Sequence, residues 1–256
     1  MERPREATLP TMFHDVVRLF SAIADDVGDA LRGIDDWGPS GLRGGQYAAD
    51  LVVDEIVLAR LESEGLSVLS EESGLTLRAG SELVIVDPLD GSTNASRGVP
   101  WFATALAMAD DDGLAVGLVR NQASGITYSA VRGEGALRDG VALHASSSTS
   151  LSSSIVGLSG LPPHHLGWAQ FRALGAAALD LCLVASGVLD GYVDCSVDAH
   201  GVWDYAAGVL ICQEAGALVV DALDRDLLVR DPALKRTPVA AATPDLLTQL
   251  LAARRW

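Results

Sequence analysis

A β-branched run, Val84-Ile85-Val86, leads without a break into Asp87-Pro88-Leu89-Asp90-Gly91-Ser92-Thr93-Asn94, and this junction limits what the chain can fold into. The apolar run predicts a buried strand, so the rest of the fold has to cover it. Pro88 sets the chain turning, which brings Asp87 and Asp90 together at the strand's end. Carboxylates packed that closely repel each other, and they stay ionised cheaply only with a cation between them. Hard oxygen ligands of this kind suit magnesium, manganese or calcium. Gly91 lets the backbone approach a ligand, and a helical turn starting there points the amides of Gly91, Ser92 and Thr93 outward as a seat for an anion. The junction therefore predicts a metal-assisted phosphate site.

Taken alone, the same residues also read as an Asp-Pro turn followed by an N-capping Ser or Thr. Two further segments weigh against that reading. Val68-Leu69-Ser70-Glu71-Glu72-Ser73-Gly74 is another short apolar strand ending in paired acids. Val202-Trp203-Asp204-Tyr205-Ala206-Ala207-Gly208 places an acid at the start of an Ala-rich apolar helix over 205–215. A lone Asp there would serve as a helix cap or dipole partner, but three acid-bearing element ends in one chain point to chemistry.

In these three segments the chain resembles the inositol monophosphatase superfamily, the magnesium-dependent, lithium-sensitive sugar phosphatases that include fructose-1,6-bisphosphatases and bisphosphate nucleotidases. The resemblance runs over 46–217 and takes in Phe171-Arg172-Ala173-Leu174-Gly175-Ala176-Ala177-Ala178-Leu179-Asp180, similar to the family's R-x-x-G-[ST]-A-A-L-D segment, and Gly187-Val188-Leu189-Asp190-Gly191-Tyr192. It implies a layered αβαβα sandwich of the α+β class and two or three Mg2+ ions. Position by position it implies that Glu71, Asp87, the Leu89 carbonyl, Asp90 and Asp204 are the metal ligands. Asp87 would bridge two ions, Glu71 complete the first site, and Asp90 with Asp204 hold the second, a two-metal clamp on an in-line displacement. Ser92 stands where the family has the threonine that orients the attacking water, backed by Asp50, and the amides of Gly91 and Ser92 would hold the phosphate oxygens. The activity implied is hydrolysis of a small cyclitol or sugar phosphate such as inositol 1-phosphate. Fructose 1,6-bisphosphate, a 3',5'-bisphosphate nucleotide and histidinol phosphate are the alternatives within the superfamily. A non-catalytic regulator on the same fold is the alternative of another class, since some members bind RNA or transcription machinery. Members are commonly homodimers.

From its pattern alone, Asp50 belongs with Asp54 to a solvated stripe, four residues apart on a helix over 46–64; only the resemblance gives it a role. The chain also departs from the family. Many members carry a lysine and an Asp-x-Val-Thr run before the Asp50 position, where this chain has Gly41-Leu42-Arg43-Gly44-Gly45-Gln46-Tyr47, with Arg43 a candidate for the missing positive charge. Ala95 replaces an aromatic residue. Asn94-Ala95 and Gly44-Gly45-Gln46 are closer to the archaeal and actinobacterial branch, some of whose members act on both inositol phosphates and fructose 1,6-bisphosphate. For the sugar hydroxyls the resemblance points to the backbone of Ala176-Ala177 and to Asp194. A three-residue difference in spacing before Trp203-Asp204 makes Asp198 its rival. A carboxylate can accept bonds from two adjacent hydroxyls.

The net charge of -16 opposes nucleic-acid binding by phosphate neutralisation. With 256 residues, 49% of them hydrophobic, the chain has core enough for one large domain or two intimate halves, expected at 1–145 and 146–256. No apolar stretch is long enough to span a bilayer, and Met1-Glu2-Arg3-Pro4-Arg5-Glu6 lacks the hydrophobic region of a signal peptide, so a cytoplasmic protein without membrane partners is expected. Cys182, Cys195 and Cys212, odd in number and set in apolar elements, read as reduced core residues. A first helix carries the stripe Phe13, Val16, Val17, Phe20, Ile23, Ala24, Val27 and Leu31. Glycine-broken strands over 103–109, 115–119 and 126–131 predict an antiparallel meander. Ser146-Ser147-Ser148-Thr149-Ser150 reads as a linker. Beyond it strands at 154–158, 191–194, 218–220 and 239–242 alternate with helices near 164–170, at 176–186 and 205–215, and from Pro244. His164-His165 reads as an exposed helix start, because adjacent residues do not share a helix face on which to hold a metal.

Overall fold

The computed structural model describes residues 9–256; the Met1 to Glu6 segment considered above lies outside the described residues. Helices α1 (Leu9–Arg32) and α2 (Ala48–Ser63) come first. They are followed by β1 (Ser67–Ser70), β2 (Gly74–Thr76), β3 (Leu83–Asp90), the short helix α3 (Ser92–Ser96), β4 (Ala103–Asp110), β5 (Gly113–Asn121), β6 (Thr127–Val131), β7 (Gly135–Arg138) and β8 (Val141–Ala142). The eight strands form one sheet in the order β2-β1-β3-β4-β5-β6-β7-β8, antiparallel throughout except for the β1/β3 pair. A 3-10 turn at Leu151–Ser153 leads to β9 (Ile155–Ser159), β10 (Gln170–Arg172), α4 (Ala177–Ala185), β11 (Gly191–Asp194), α5 (Val202–Glu214), β12 (Leu218–Asp221), β13 (Pro238–Ala241) and α6 (Pro244–Ala253). The second sheet runs β10-β9-β11-β13-β12.

Side-chain alternation along the strands builds the layers. In β3, Val84 and Val86 pack with Phe20, Ile23 and Val27 of α1 and Val53, Val57 and Leu61 of α2. Leu83 and Ile85 point the other way, into a core shared with α4 and α5. Tyr192 and Ala240 of the second sheet reach that middle core, while Val193, Val239 and Ala241 turn outward onto Leu246 and Leu250 of α6. The result is the expected αβαβα sandwich. Glycine makes the central layer thin: a Cβ on Gly117 would come 3.0 Å from the Ala207 carbonyl oxygen, and one on Gly208 would come 2.8 Å from Leu181.

Three readings of local pattern are corrected. The segment 164–170 forms no helix: its exposed His165 accepts a bond from the Gly167 N–H at 3.0 Å, and the following Gln170–Arg172 pairs with β9 as an edge strand. The serine run is no free linker, since Ser146 donates to Asp190 at 2.6 Å, Ser148 bonds Ser154 at 2.9 Å, and Thr243 and Gln249 bond the carbonyls of Ser148 and Thr149. Asp50 and Asp54 are buried rather than solvated; Asp54 accepts from the hydroxyls of Ser70 and Ser73, an internal polar network that hydropathy patterning does not register. The three cysteines are buried and unpaired. Among the described residues no helix is long and apolar enough to cross a membrane.

Candidate active site

Strand register delivers the first two acids. In the parallel β1/β3 pair Ser70 lies opposite Val86, and the Glu71 N–H bonds the Val86 carbonyl at 3.1 Å, so Glu71, the first residue past β1, lies beside Asp87 of β3. Asp87 continues the Leu83-Ile85 face and therefore looks toward α5. Perfect pairing would then put Asp90 on the opposite face. Pro88 has no N–H to give the ladder, and the β3/β4 register slips between Asp87↔Ala105 and Asp90↔Ala103. The extra residue restores Asp90 to the face of Asp87. Thr104 Oγ1 fixes the bulge by donating to the Pro88 carbonyl at 3.0 Å.

Helix starts supply the rest. Asp204 is the third residue of α5 and accepts from the Gly201 N–H at 2.7 Å; Asp50 is the third residue of α2 and accepts from the Tyr47 N–H at 2.7 Å. Both do the work of the acid in a capping box. Helix α4 has no side-chain cap of its own, and Asp90 provides one from 88 residues away, accepting from the Ala178 N–H at 2.8 Å. Gly91 closes the turn at φ 84°, where a Cβ would sit 3.0 Å from the Trp101 carbonyl oxygen and 3.1 Å from Ala176 Cβ, so glycine is required for both conformation and space. Asn94 pins the far side, donating to the carbonyls of Trp101 and Leu174 at 2.8 Å each.

Carboxylate oxygens of Glu71, Asp87 and Asp204 all lie within 4.8 Å of one another, and they form the one such acid group among the described residues. Burial, followed by repulsion from Glu71, Asp90 and Asp204, holds the Asp87 carboxyl well above the usual carboxylate range. Burial and Asp204 do the same to Asp90, and burial with Asp204 and Glu72 pushes Glu71 up to about 8. Acids that repel one another in a largely desolvated cluster ionise readily only with a cation between them, and an all-oxygen donor set fits a hard divalent ion. The residues present therefore fit the metal centre expected from the resemblance.

Two hollows flank the cluster. One, of about 350 Å³, is lined by Asp50, Ser92, Glu71, Glu72, Arg43 and Lys235, among others. Asp50, pushed up to about 6 by burial, keeps Oδ1 buried there without a hydrogen-bond partner among the described residues. The other, of about 140 Å³, is lined by Asp90, Asp204, Ala176, Ala177, Ser159, Asp180, Tyr192 and His200. His200 bonds Asp204 Oδ2 at 3.2 Å and Ser159 Oγ at 3.1 Å. A larger groove of about 660 Å³ lies at the C-terminal end of α5 and holds none of these acids.

Glu71, Asp87, Asp90, Asp204, Asp50, Gly91 and Ser92 are thus brought to one place, together with the backbone of Ala176 and Ala177. Leu89 sits in the bulge with its side chain in the core beneath α1 and α2. Neither candidate sugar-binding acid lines the smaller hollow. Asp194 has a fully buried carboxylate that accepts from the Ser196 N–H, lies with Oδ2 3.8 Å from His200 Nε2, and stands behind the lining of the smaller hollow. Asp198 is drawn away by Arg225 at 2.7 Å. Sequence reasoning missed Asp180, an acid inside an otherwise apolar helix that accepts from Trp101 Nε1 at 2.9 Å and is pushed up to about 7 by burial. It also missed Lys235, whose Nζ lies 4.2 Å from the Trp203 ring centroid. The signals were a carboxylate with no polar company in its helix and the single lysine of the chain.

The family model described as the inositol monophosphatase family matches residues 45–256. A fructose-1,6-bisphosphatase of Pyrococcus furiosus is 32% identical over 204 residues, covering 79% of this chain and 80% of that one. An inositol-1-monophosphatase of Mesorhizobium japonicum is 34% identical over 193 residues, covering 68% and 70%. Among solved structures, the extragenic suppressor protein suhB of Bartonella henselae superposes with a TM-score of 0.80 at 27% identity, covering 94% of this chain and 99% of that one.

Proposed function

The chain belongs to the inositol monophosphatase family, and from that premise we propose that it hydrolyses the phosphate monoester of a small cyclitol or sugar with the help of Mg2+. The observation that carries the reading is the meeting of the half-buried Glu71 and Asp204 carboxylates with the buried Asp87, within 4.8 Å of one another. Asp90 and the Leu89 carbonyl join them as proposed ligands. When bound, divalent cations neutralise the phosphoryl oxygens and lower the pKa of a nearby water.

The chain's own groups do the remaining work. In the hollow on the Asp50 side, the Ser92 hydroxyl orients the attacking water and Asp50 Oδ1 stands ready to accept a proton, its pKa pushed up to about 6 by burial, which suits a base. The amides of Gly91 and Ser92 receive the phosphoryl oxygens. On the far side, Ser159, Tyr192, His200 and Asp180 offer the donors and acceptors that a hydroxylated leaving group needs. In-line attack separates water and leaving group in this way, which is why two hollows serve one centre.

The test is phosphate release from a panel of inositol 1-phosphate, fructose 1,6-bisphosphate, a 3',5'-bisphosphate nucleotide and histidinol phosphate, with Mg2+ and with a chelator. Mg2+-dependent turnover of a sugar or cyclitol ester is expected, falling at least about 100-fold in Asp90→Asn and Asp204→Asn while the variants stay folded. Near-normal turnover in either variant would sink the mechanism. Preference for the nucleotide or histidinol ester would move the substrate within the family.

A further inference from the structure

The two glutamates that close β1 are neighbours of identical chemistry that face different partners. Glu71 offers an oxygen to the acid cluster. Glu72 turns away: its side chain is only 4% exposed and accepts from Arg43 Nη2 at 2.8 Å and from Gln46 Nε2. The same guanidinium reaches back to Glu71, with Nη1 donating to its carbonyl oxygen at 3.2 Å and Nη2 lying 3.7 Å from Oε1. One planar fork therefore spans both residues.

The loop that carries the fork is itself anchored. Ser40 Oγ donates to Gln46 Oε1 at 2.6 Å, the Ser40 N–H bonds the Gln46 carbonyl at 2.9 Å, and Pro39 pairs with Tyr47. The next N–H, that of Tyr47, is the one that holds Asp50. The stretch Gly41-Leu42-Arg43-Gly44-Gly45-Gln46-Tyr47 ties the end of β1 to the start of α2.

We propose that Arg43 is a positioning residue: with Gln46 it clasps Glu72 and the Glu71 carbonyl, so that Glu71 alone of the pair is presented to the cation centre. The inference rests on the metal-dependent reading above. A buried carboxylate stripped of its cation partner is costly, and without Arg43 the Glu72 carboxylate would turn to the next positive charge, the bound metal. A lysine supplies the same charge but cannot bridge two acceptors as a guanidinium does.

The experiment titrates Mn2+ alone into the purified chain by calorimetry, with thermal melts of each metal-free protein and Mg2+-dependent turnover followed in parallel. Loss of an outer partner typically weakens metal binding by 10- to 100-fold, so Arg43→Gln is expected to lower Mn2+ affinity by at least about tenfold. Arg43→Lys should recover less than half of that loss on a logarithmic scale. Arg43→Gln combined with Glu72→Gln removes the stray carboxylate but leaves the Glu71 carbonyl unheld, and should recover about as much affinity as Arg43→Lys. If Arg43→Gln alone does not fold while the double variant folds and binds at that level, the orphaned Glu72 is identified directly. Full rescue by lysine, unchanged affinity in Arg43→Gln, or a double variant as weak as the single one would overturn the clasp. An unaltered chain that binds no Mn2+ at millimolar concentration would instead overturn the hydrolase reading, and the clasp with it; a chain that binds and turns over while its variants match it would overturn the clasp alone.

Discussion

At the scale of single residues, the site is built from side chains that do not suit the folded chain on their own. Asp87 is 1% exposed, and burial together with Glu71, Asp90 and Asp204 raises its pKa well above the ordinary range. Its charge works against the metal-free fold. Asp87→Asn keeps the shape and an acceptor for the Leu89 N–H, which now bonds Asp87 Oδ1 at 3.0 Å, and removes the repulsion. The expected outcome is a metal-free protein that melts higher at about pH 8, by roughly 2–4 °C for each 1 kcal/mol relieved, and that lacks the proposed phosphatase activity. Such a trade of function for stability marks a site under selection for chemistry. A variant that melts lower than the unaltered chain would show that the Asp87 carboxylate is satisfied by the protein itself.

At the scale of elements, the position of Asp204 depends on how closely α5 can approach α4. Gly208 lies one turn beyond Asp204, and a Cβ there would come 2.8 Å from both Cβ and Cδ1 of Leu181. Gly208→Ala should therefore push the helices apart, costing about 1–3 kcal/mol, and weaken Mg2+ binding because α5 carries Asp204 away from Asp87. Denaturant midpoints and a Mg2+ titration read the two effects, and an unchanged midpoint would mean that Leu181 simply changes rotamer. The sequence carries α5 and its acid clearly, because an unbroken apolar helix after Trp203 has one plausible start. The meander from β4 to β6 was equally legible, its strands broken by turns that carry glycine or charge. What could not be read were features set by neighbours distant in sequence. The β3/β4 bulge that turns Asp90 beside Asp87 depends on Thr104, and the buried network of Asp54 depends on Ser70 and Ser73. The loop over 164–170 has helical composition but pairs its end with β9 instead. The pairing of Asp198 with Arg225, 27 residues on, is equally invisible in the sequence.

At the scale of the whole molecule, the -16 charge and the acid cluster make stability depend on pH and on divalent ions together. Glu71, raised from 4.5 to about 8, and Asp50, raised from 3.8 to about 6, hold protons in the folded chain that they release on unfolding at the same pH. The folded state therefore binds more protons than the unfolded state across this window, and stability falls as pH rises through it. His200 acts with the same sign: although burial opposes it, Asp204, Asp194 and Asp90 raise its pKa, so its contribution is present at low pH and lost as pH rises. Asp110 and Asp221, lowered by Arg132 and Arg225, act with the opposite sign, but only at pH values below the ordinary carboxylate range. Ligand carboxylates have to lose their protons before a cation can bind, and a ligand that binds only the folded state stabilises it. In metal-free buffer the melting temperature is thus expected to fall between about pH 5 and about pH 8. Millimolar Mg2+ should raise it little at the acid end and much more at the alkaline end, flattening the profile. A metal-free profile that is already flat, or a Mg2+ shift of equal size at both ends, would mean that the acids at the ends of β1, β3 and the start of α5 do not share a cation.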